Sequence, residues 1–363
     1  MRVVVKLGTS TLTDGTERLS RPRMVDIVRQ VACLHQAGHQ TVVASSGAIG
    51  AGRERLGGPA RRKNISYKQM LAAVGQSQLM ALYAQLFELY GLIVAQALLT
   101  RADLARRDHY LNARNTLLSL LAEGVVPIVN ENDVVAIDEI KIGDNDSLSA
   151  LVANLIDADL LVMLTDQAGL FTADPRTHPE ARLIRQVPVI DDAIRRLAGQ
   201  TRSGTGTGGM ITKVEAAELA TRSGTTVVIA NGSEENVLLR IVQGEPVGTR
   251  FPAAANNIES RKRWILAEPS RGRLAVDDGA VQALRARGKS LLPVGVTGVE
   301  GEFQRGDAVE IVDAARRKVG QGIANYSATS IRRIQGHRST EIAEILGYHY
   351  GPAIVHRDDL VLV

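Results

Sequence analysis

Residues 204–213, Gly-Thr-Gly-Thr-Gly-Gly-Met-Ile-Thr-Lys, place four glycines, three threonines and a lysine at the start of an apolar helical pattern. Backbone N–H groups, hydroxyls, a helix N-terminus and a cation together suit a polyphosphate. Gly204, Gly206 and Gly209 also satisfy G-x-G-x-x-G, but that dinucleotide fingerprint needs a strand immediately before it. Here Asp191–Ala198 reads as a short helix, followed by the polar stretch Gly199–Ser203. The pattern G-x-x-x-x-G-K-[ST] does not occur. A nucleotide phosphate site of another architecture is the expectation.

Four more polar clusters each close an apolar, strand-like run: Lys6-Leu-Gly-Thr-Ser10, Ser45-Ser-Gly-Ala48, Asn130-Glu-Asn-Asp133 and Thr165-Asp166. A fifth, Gly143-Asp-Asn-Asp-Ser147, precedes a helix. In an open parallel sheet ligands bind beyond the carboxyl ends of the strands, so these clusters are expected on one edge. Lys6 and Lys213 supply two positive charges suited to a phosphoryl group in transfer. Asp146 is placed to hold both ammonium groups. Ser46-Gly47-Ala48 offers a hydroxyl and backbone donors to a substrate carboxylate, and Asp133 is a counter-ion for a substrate ammonium. Asn145 takes its meaning from these neighbours. The seven histidines show no metal-ligand spacing, and no residue is assigned as a metal ligand. Without a G-x-S-x-G serine elbow, direct in-line transfer is favoured over a covalent enzyme intermediate.

Positioning these groups requires alternating strands and helices. Strands are expected at Val3–Leu7, Thr41–Ala44, Leu92–Ala95, Val125–Val129, Leu160–Leu164 and Thr225–Ile229. Helices are expected at 22–37, 67–89, 112–122, 147–156 and 210–222. The fold class is therefore α/β, an open and mostly parallel sheet with helices on both faces. From about residue 255 the texture changes to short β-like runs with glycine turns (Leu274–Val276, Leu291–Val299, Ala308–Val312, Val319–Ala324), plus helices at 278–287 and near 339–346. The expected division is a catalytic domain at 1–255, a linker at 256–270, a small mainly-β domain at 271–350 and a tail at 351–363.

At 363 residues and 45% hydrophobic, the chain is long for one core and ordinary for a globular protein. No apolar run approaches 18 residues, so neither a membrane span nor a secretory leader is expected. The lone Cys33 excludes an intrachain disulfide and fits a reducing cytoplasm. The whole +4 excess of charge lies after residue 260. That surplus permits a polyanion partner, but only Trp264, Phe303, Tyr326, Tyr348 and Tyr350 could stack on bases there. A structural or regulatory role for the C-terminal part is favoured over nucleic-acid binding.

With these residues in hand, the chain resembles the glutamate 5-kinase branch of the amino-acid kinase family, carrying a C-terminal PUA domain. The resemblance runs nearly end to end, on Val4-Val-Lys-Leu-Gly-Thr-Ser10, Ser46-Gly-Ala-Ile49, Leu98-Leu-Thr-Arg-Ala-Asp103, Asn130-Glu-Asn-Asp133, Gly143-Asp-Asn-Asp146, Leu164-Thr-Asp-Gln167, Thr207-Gly-Gly-Met-Ile-Thr-Lys213 and Leu346-Gly-Tyr-His-Tyr-Gly351. Ser45 stands where threonine is common. The resemblance implies ATP-dependent phosphorylation of the side-chain carboxylate of L-glutamate to L-glutamyl 5-phosphate and ADP, the first step of proline biosynthesis. It implies Lys6, Asp146 and Lys213 as the catalytic set and Ser46, Asp133 and Asn145 as glutamate-binding. It implies ATP contacts from Lys6, Thr165, Asp166, Thr207, Gly208, Gly209, Met210, Ile211, Thr212 and Lys213. Magnesium is expected on the ATP phosphates. A homo-oligomer, dimer or tetramer, is expected, as is a reductase partner that receives the fragile acyl phosphate.

Overall fold

The computed structural model describes residues 1–16, 18–58, 64–136, 145–200, 209–254 and 265–363. The chain divides into two compact units, residues 1–105 with 112–257, and residues 106–111 with 258–363.

The first unit is built on a seven-stranded sheet. Its strands are β1 (Arg2–Leu7), β2 (Gln40–Ala44), β3 (Val94–Leu99), β4 (Val126–Glu131), β5 (Leu160–Thr165), β6 (Thr226–Asn231) and β7 (Thr249–Phe251), in the order β3-β4-β2-β1-β5-β6-β7. All pairings are parallel except β6 with β7. The central strands are apolar on both faces because helices cover both, as a parallel sheet requires. Val3, Val5 and Leu7 pack in one core with Ile27 and Val31 of the helix Arg21–Gln36 and with Leu79 and Tyr83 of the helix Ile65–Glu88.

Local chemistry fixes where these elements stop. Ser20 caps the helix Arg21–Gln36 by accepting from Arg23 N–H, and Pro22 sits in its first turn, where a missing N–H costs nothing. The chain leaves that helix through Gly38 at φ +81°.

The second unit holds a five-stranded sheet of β8 (Gly272–Val276), β9 (Val296–Gly301), β10 (Ala308–Val312), β11 (Lys318–Ile323) and β12 (Leu360–Leu362), in the order β12-β11-β10-β8-β9. Only β8 and β10 run parallel. Leu274, Ile311, Val319, Tyr326 and Ile331 fill its separate core.

Several boundaries differ from expectation. β4 runs on through Asn130 and Glu131, so these residues end the strand rather than follow it. The edge strand β3 starts two residues later than expected and runs to Leu99. Within 291–299, Pro293–Gly295 forms a 3-10 turn before β9, because proline cannot donate to a ladder. The helix expected near 339–346 is a 3-10 turn at Ser339–Glu341 followed by the helix Ile342–Leu346. The helix expected from 112 begins at Arg107, its first turn carrying the polar Arg107, Asp108 and His109.

Candidate active site

The C-terminal ends of β1, β2, β4 and β5 lie side by side, and the polar clusters sit there. Lys6 pairs in register with Ala44 of β2 and Met163 of β5, next to the ends of both strands. Ser45 N–H donates to Val129 O of β4, and Gly8 N–H to Leu164 O of β5. The expected common edge is therefore observed for Lys6, Ser45–Ser46, Asn130 and Thr165.

Asp146 is the centre of this edge. It is fully buried and opens the helix Asp146–Leu155, whose N-terminal dipole favours a carboxylate. One of its oxygens pairs with Lys6 Nζ, and the other accepts from Lys213 Nζ at 3.0 Å. Thr212 Oγ1 donates to that second oxygen at 3.0 Å. Both lysines are more than nine-tenths buried. Two buried ammonium groups would repel one another, and a carboxylate shared between them holds them in adjacent positions.

Lys213 reaches Asp146 from the helix Met210–Arg222, which starts at Gly209. Met210, Ile211 and Thr212 form its first turn, and Thr212 Oγ1 is also 2.9 Å from Gly209 O. Thr207 and Gly208 lie outside the described residues, as do Gly143 and Asp144. Thr165 ends β5 and donates to the exposed Asp166 at 3.0 Å.

Ser46 follows β2, and Gly47 turns the chain at φ +93° into the helix Ala48–Arg55. A side chain at Gly47 would be strained in that left-handed conformation. Asn145 occupies the N-cap position of the helix Asp146–Leu155, yet its side chain does not cap it. Its amide nitrogen donates instead to Ser45 O at 2.6 Å and to Asn130 Oδ1 at 2.7 Å, and lies 3.4 Å from Ser46 Oγ. Ser46 and Asn145 are thus brought together. Asp133 stands in the turn three residues beyond Asn130, half-buried.

Sequence reading missed two residues that touch this network. Tyr83, buried in the helix Ile65–Glu88, hydrogen-bonds Ser45 Oγ at 2.8 Å, and burial pushes its phenol well above the usual range, so it stays neutral. Gln76 Oε1 accepts from Asn130 Nδ2 at 2.8 Å. Their seven-residue spacing on one face was the available signal, but that face also carries Leu79 and Phe87 and reads as core.

The profile of the amino acid kinase family matches residues 1–231. The chain belongs to that family. The amino-acid kinase unit is followed by a match to the PUA domain at residues 272–346. Similarity to curated relatives spans both parts. A glutamate 5-kinase of Herpetosiphon aurantiacus is 59% identical over 99% of this chain and 98% of its own length. Glutamate 5-kinases of Deinococcus radiodurans (56%, all of both chains) and Serratia marcescens (55%, 99% of this chain and 98% of its own length) follow. The α/β sheet and the β-rich C-terminal unit agree with this membership. Among the described residues no helix is long and apolar enough to cross a membrane.

Proposed function

We propose that this amino-acid kinase transfers the γ-phosphoryl group of ATP to the side-chain carboxylate of L-glutamate, giving L-glutamyl 5-phosphate and ADP. The observation that carries this reading is the buried Lys6–Asp146–Lys213 trio at the sheet's carboxyl edge. Full-length similarity to glutamate 5-kinases supplies the substrate.

A carboxylate nucleophile arrives ionised at neutral pH, so the step needs no general base. The oxygen attacks phosphorus in line, the bond to the ADP oxygen breaks, and its electron pair leaves with ADP. Lys6 and Lys213 meet the charge on the transferring group, while Asp146 keeps both tips in place. Ser46, Asn145 and Asp133 orient glutamate, with Asp133 facing its ammonium. Thr165, Asp166 and the segment 207–213 hold the nucleotide.

The residues fit a divalent cation carried by the nucleotide. Asp146 gives both its oxygens to ammonium groups, which leaves the cation to the nucleotide's phosphates rather than to this carboxylate. Magnesium bound to the phosphates supplies charge neutralisation there.

In this reading residues 1–255 form the catalytic domain, the linker spans 256–270, and the PUA-type domain (271–350, with the tail 351–363) serves a structural or regulatory role. The enzyme is cytoplasmic, opens proline biosynthesis, assembles as a dimer or tetramer, and hands its acyl phosphate to a reductase. Hydroxylamine trapping with ATP and magnesium tests the substrate across glutamate, aspartate and N-acetylglutamate. Hydroxamate from glutamate alone is the expected result. Its absence with glutamate would remove the proposal.

A further inference from the structure

We propose that Gln76 is a positioning residue, the outer member of an amide chain Gln76–Asn130–Asn145 that turns the Asn145 carbonyl oxygen toward the substrate ammonium. This inference rests on the glutamate reading above.

An amide side chain can face either way unless its neighbours decide. Here backbone groups decide at both ends. Glu131 N–H can only donate, and it donates to Asn130 at 2.9 Å, which fixes that atom as Oδ1. Asn130 must then present Nδ2 to Gln76, and Gln76 must answer with Oε1. Ser45 O can only accept, and at 2.6 Å it fixes the facing atom of Asn145 as Nδ2. Asn130 Oδ1 accepts from the same nitrogen at 2.7 Å. Every bond in the chain has one allowed direction.

The consequence lies at the far end. Both protons of the Asn145 amide are committed inward, so Oδ1 is the atom left over. It accepts no hydrogen bond among the described residues. An unused acceptor beside Ser46 calls for a donor, and the only N–H donor on glutamate is its ammonium. Tyr83 braces the same assembly from below. Ser45 Oγ donates to Ser46 O at 3.1 Å, so the Tyr83 hydroxyl donates to Ser45.

Stability alone does not account for a glutamine at position 76. Its Nε2 is buried and makes no hydrogen bond among the described residues, while its Oε1 is the partner of the buried Asn130 Nδ2, so leucine would exchange one unpaired donor for another. What Gln76 adds beyond packing is a direction: its Oε1 is the acceptor on Asn130 Nδ2 in the amide chain that ends at Asn145.

The test compares Gln76→Leu, Gln76→Ala and Gln76→Glu with the wild type in steady-state kinetics. Gln76→Leu and Gln76→Ala are expected to raise the glutamate KM about tenfold, the loss of one hydrogen bond's orientation. The ATP KM stays unchanged. Gln76→Glu keeps an acceptor for Asn130 Nδ2 and returns the glutamate KM to within about twofold of wild type. Glutarate, the same chain without the ammonium, is expected to inhibit wild type and variants with equal constants. The inference is overturned if the glutamate KM is unchanged in both truncations, if glutarate weakens in parallel with glutamate, or if Gln76→Glu matches Gln76→Leu. Should leucine disturb folding, Gln76→Ala, a strong helix former, decides alone. A wild-type protein that makes no hydroxamate from glutamate removes the proposed function and this inference with it. Normal wild-type turnover with unaffected variants removes the inference only.

Discussion

The α-carbon of Gly75 lies so close beneath the carbonyl of Ala48 that a methyl group there would come within 1.7 Å of the oxygen. Gly52 answers it, since a methyl at that position would meet Leu71 O at 1.9 Å. The helices Ala48–Arg55 and Ile65–Glu88 therefore touch backbone to backbone, and this contact seats Gln76 against Asn130. Gly75→Ala is expected to destabilise the protein by about 1–3 kcal/mol or more, since backbone must move to admit the methyl. Urea unfolding measures that loss, and a raised glutamate KM should accompany it.

Lys213→Ala should lower kcat by about 100- to 1,000-fold, the usual effect of deleting one group that meets transition-state charge. The ATP KM should change much less, because other groups also hold the nucleotide. A raised ATP KM with kcat unchanged would mean that Lys213 binds ground state and transition state alike.

Asp146→Asn tests the holder rather than the held. Removing the shared carboxylate leaves two ammonium groups adjacent in a buried site. A stability loss of about 3–5 kcal/mol is expected, the range for breaking a buried ion pair from one side. Acyl phosphate formation should fall with it, and high salt should restore little, because the trio is shielded from solvent.

Asp133→Ala should raise the glutamate KM while leaving inhibition by glutarate unchanged. An unchanged KM would detach Asp133 from the substrate ammonium.

Chelation of magnesium should abolish turnover without shifting the melting temperature of the nucleotide-free protein. A lowered melting temperature would point to a resident metal site instead.

The sheet was legible where strands are buried on both faces. Val3–Leu7, Thr41–Ala44 and Leu160–Leu164 fall within one residue of β1, β2 and β5 at each end, because short, mainly apolar runs rich in Val and Leu are too brief for a buried helix. It was less legible at the edge. β3 is only half covered, and its boundaries blur when burial alternates. Lys6 could be singled out because a charge at the end of an apolar strand is anomalous, Lys213 because it follows a glycine-rich loop at a helix start, and Asp146 because its polar cluster precedes a helix. Gln76 and Tyr83 could not, since a helix of mixed character hides its inward polar tips among Leu79 and Phe87. Asn145 showed the converse. Its position announced a helix cap, yet the side chain turned to partners 15 and 100 residues away, which no local pattern records.

Sharing one carboxylate between two lysines also couples three positions of this chain. Exchange of Lys6 or Lys213 alone strands an unbalanced charge in a dry site, and exchange of Asp146 alone sets the lysines against each other. Each single replacement in the trio therefore leaves the remaining two groups worse placed than before, so the three stand or fall together.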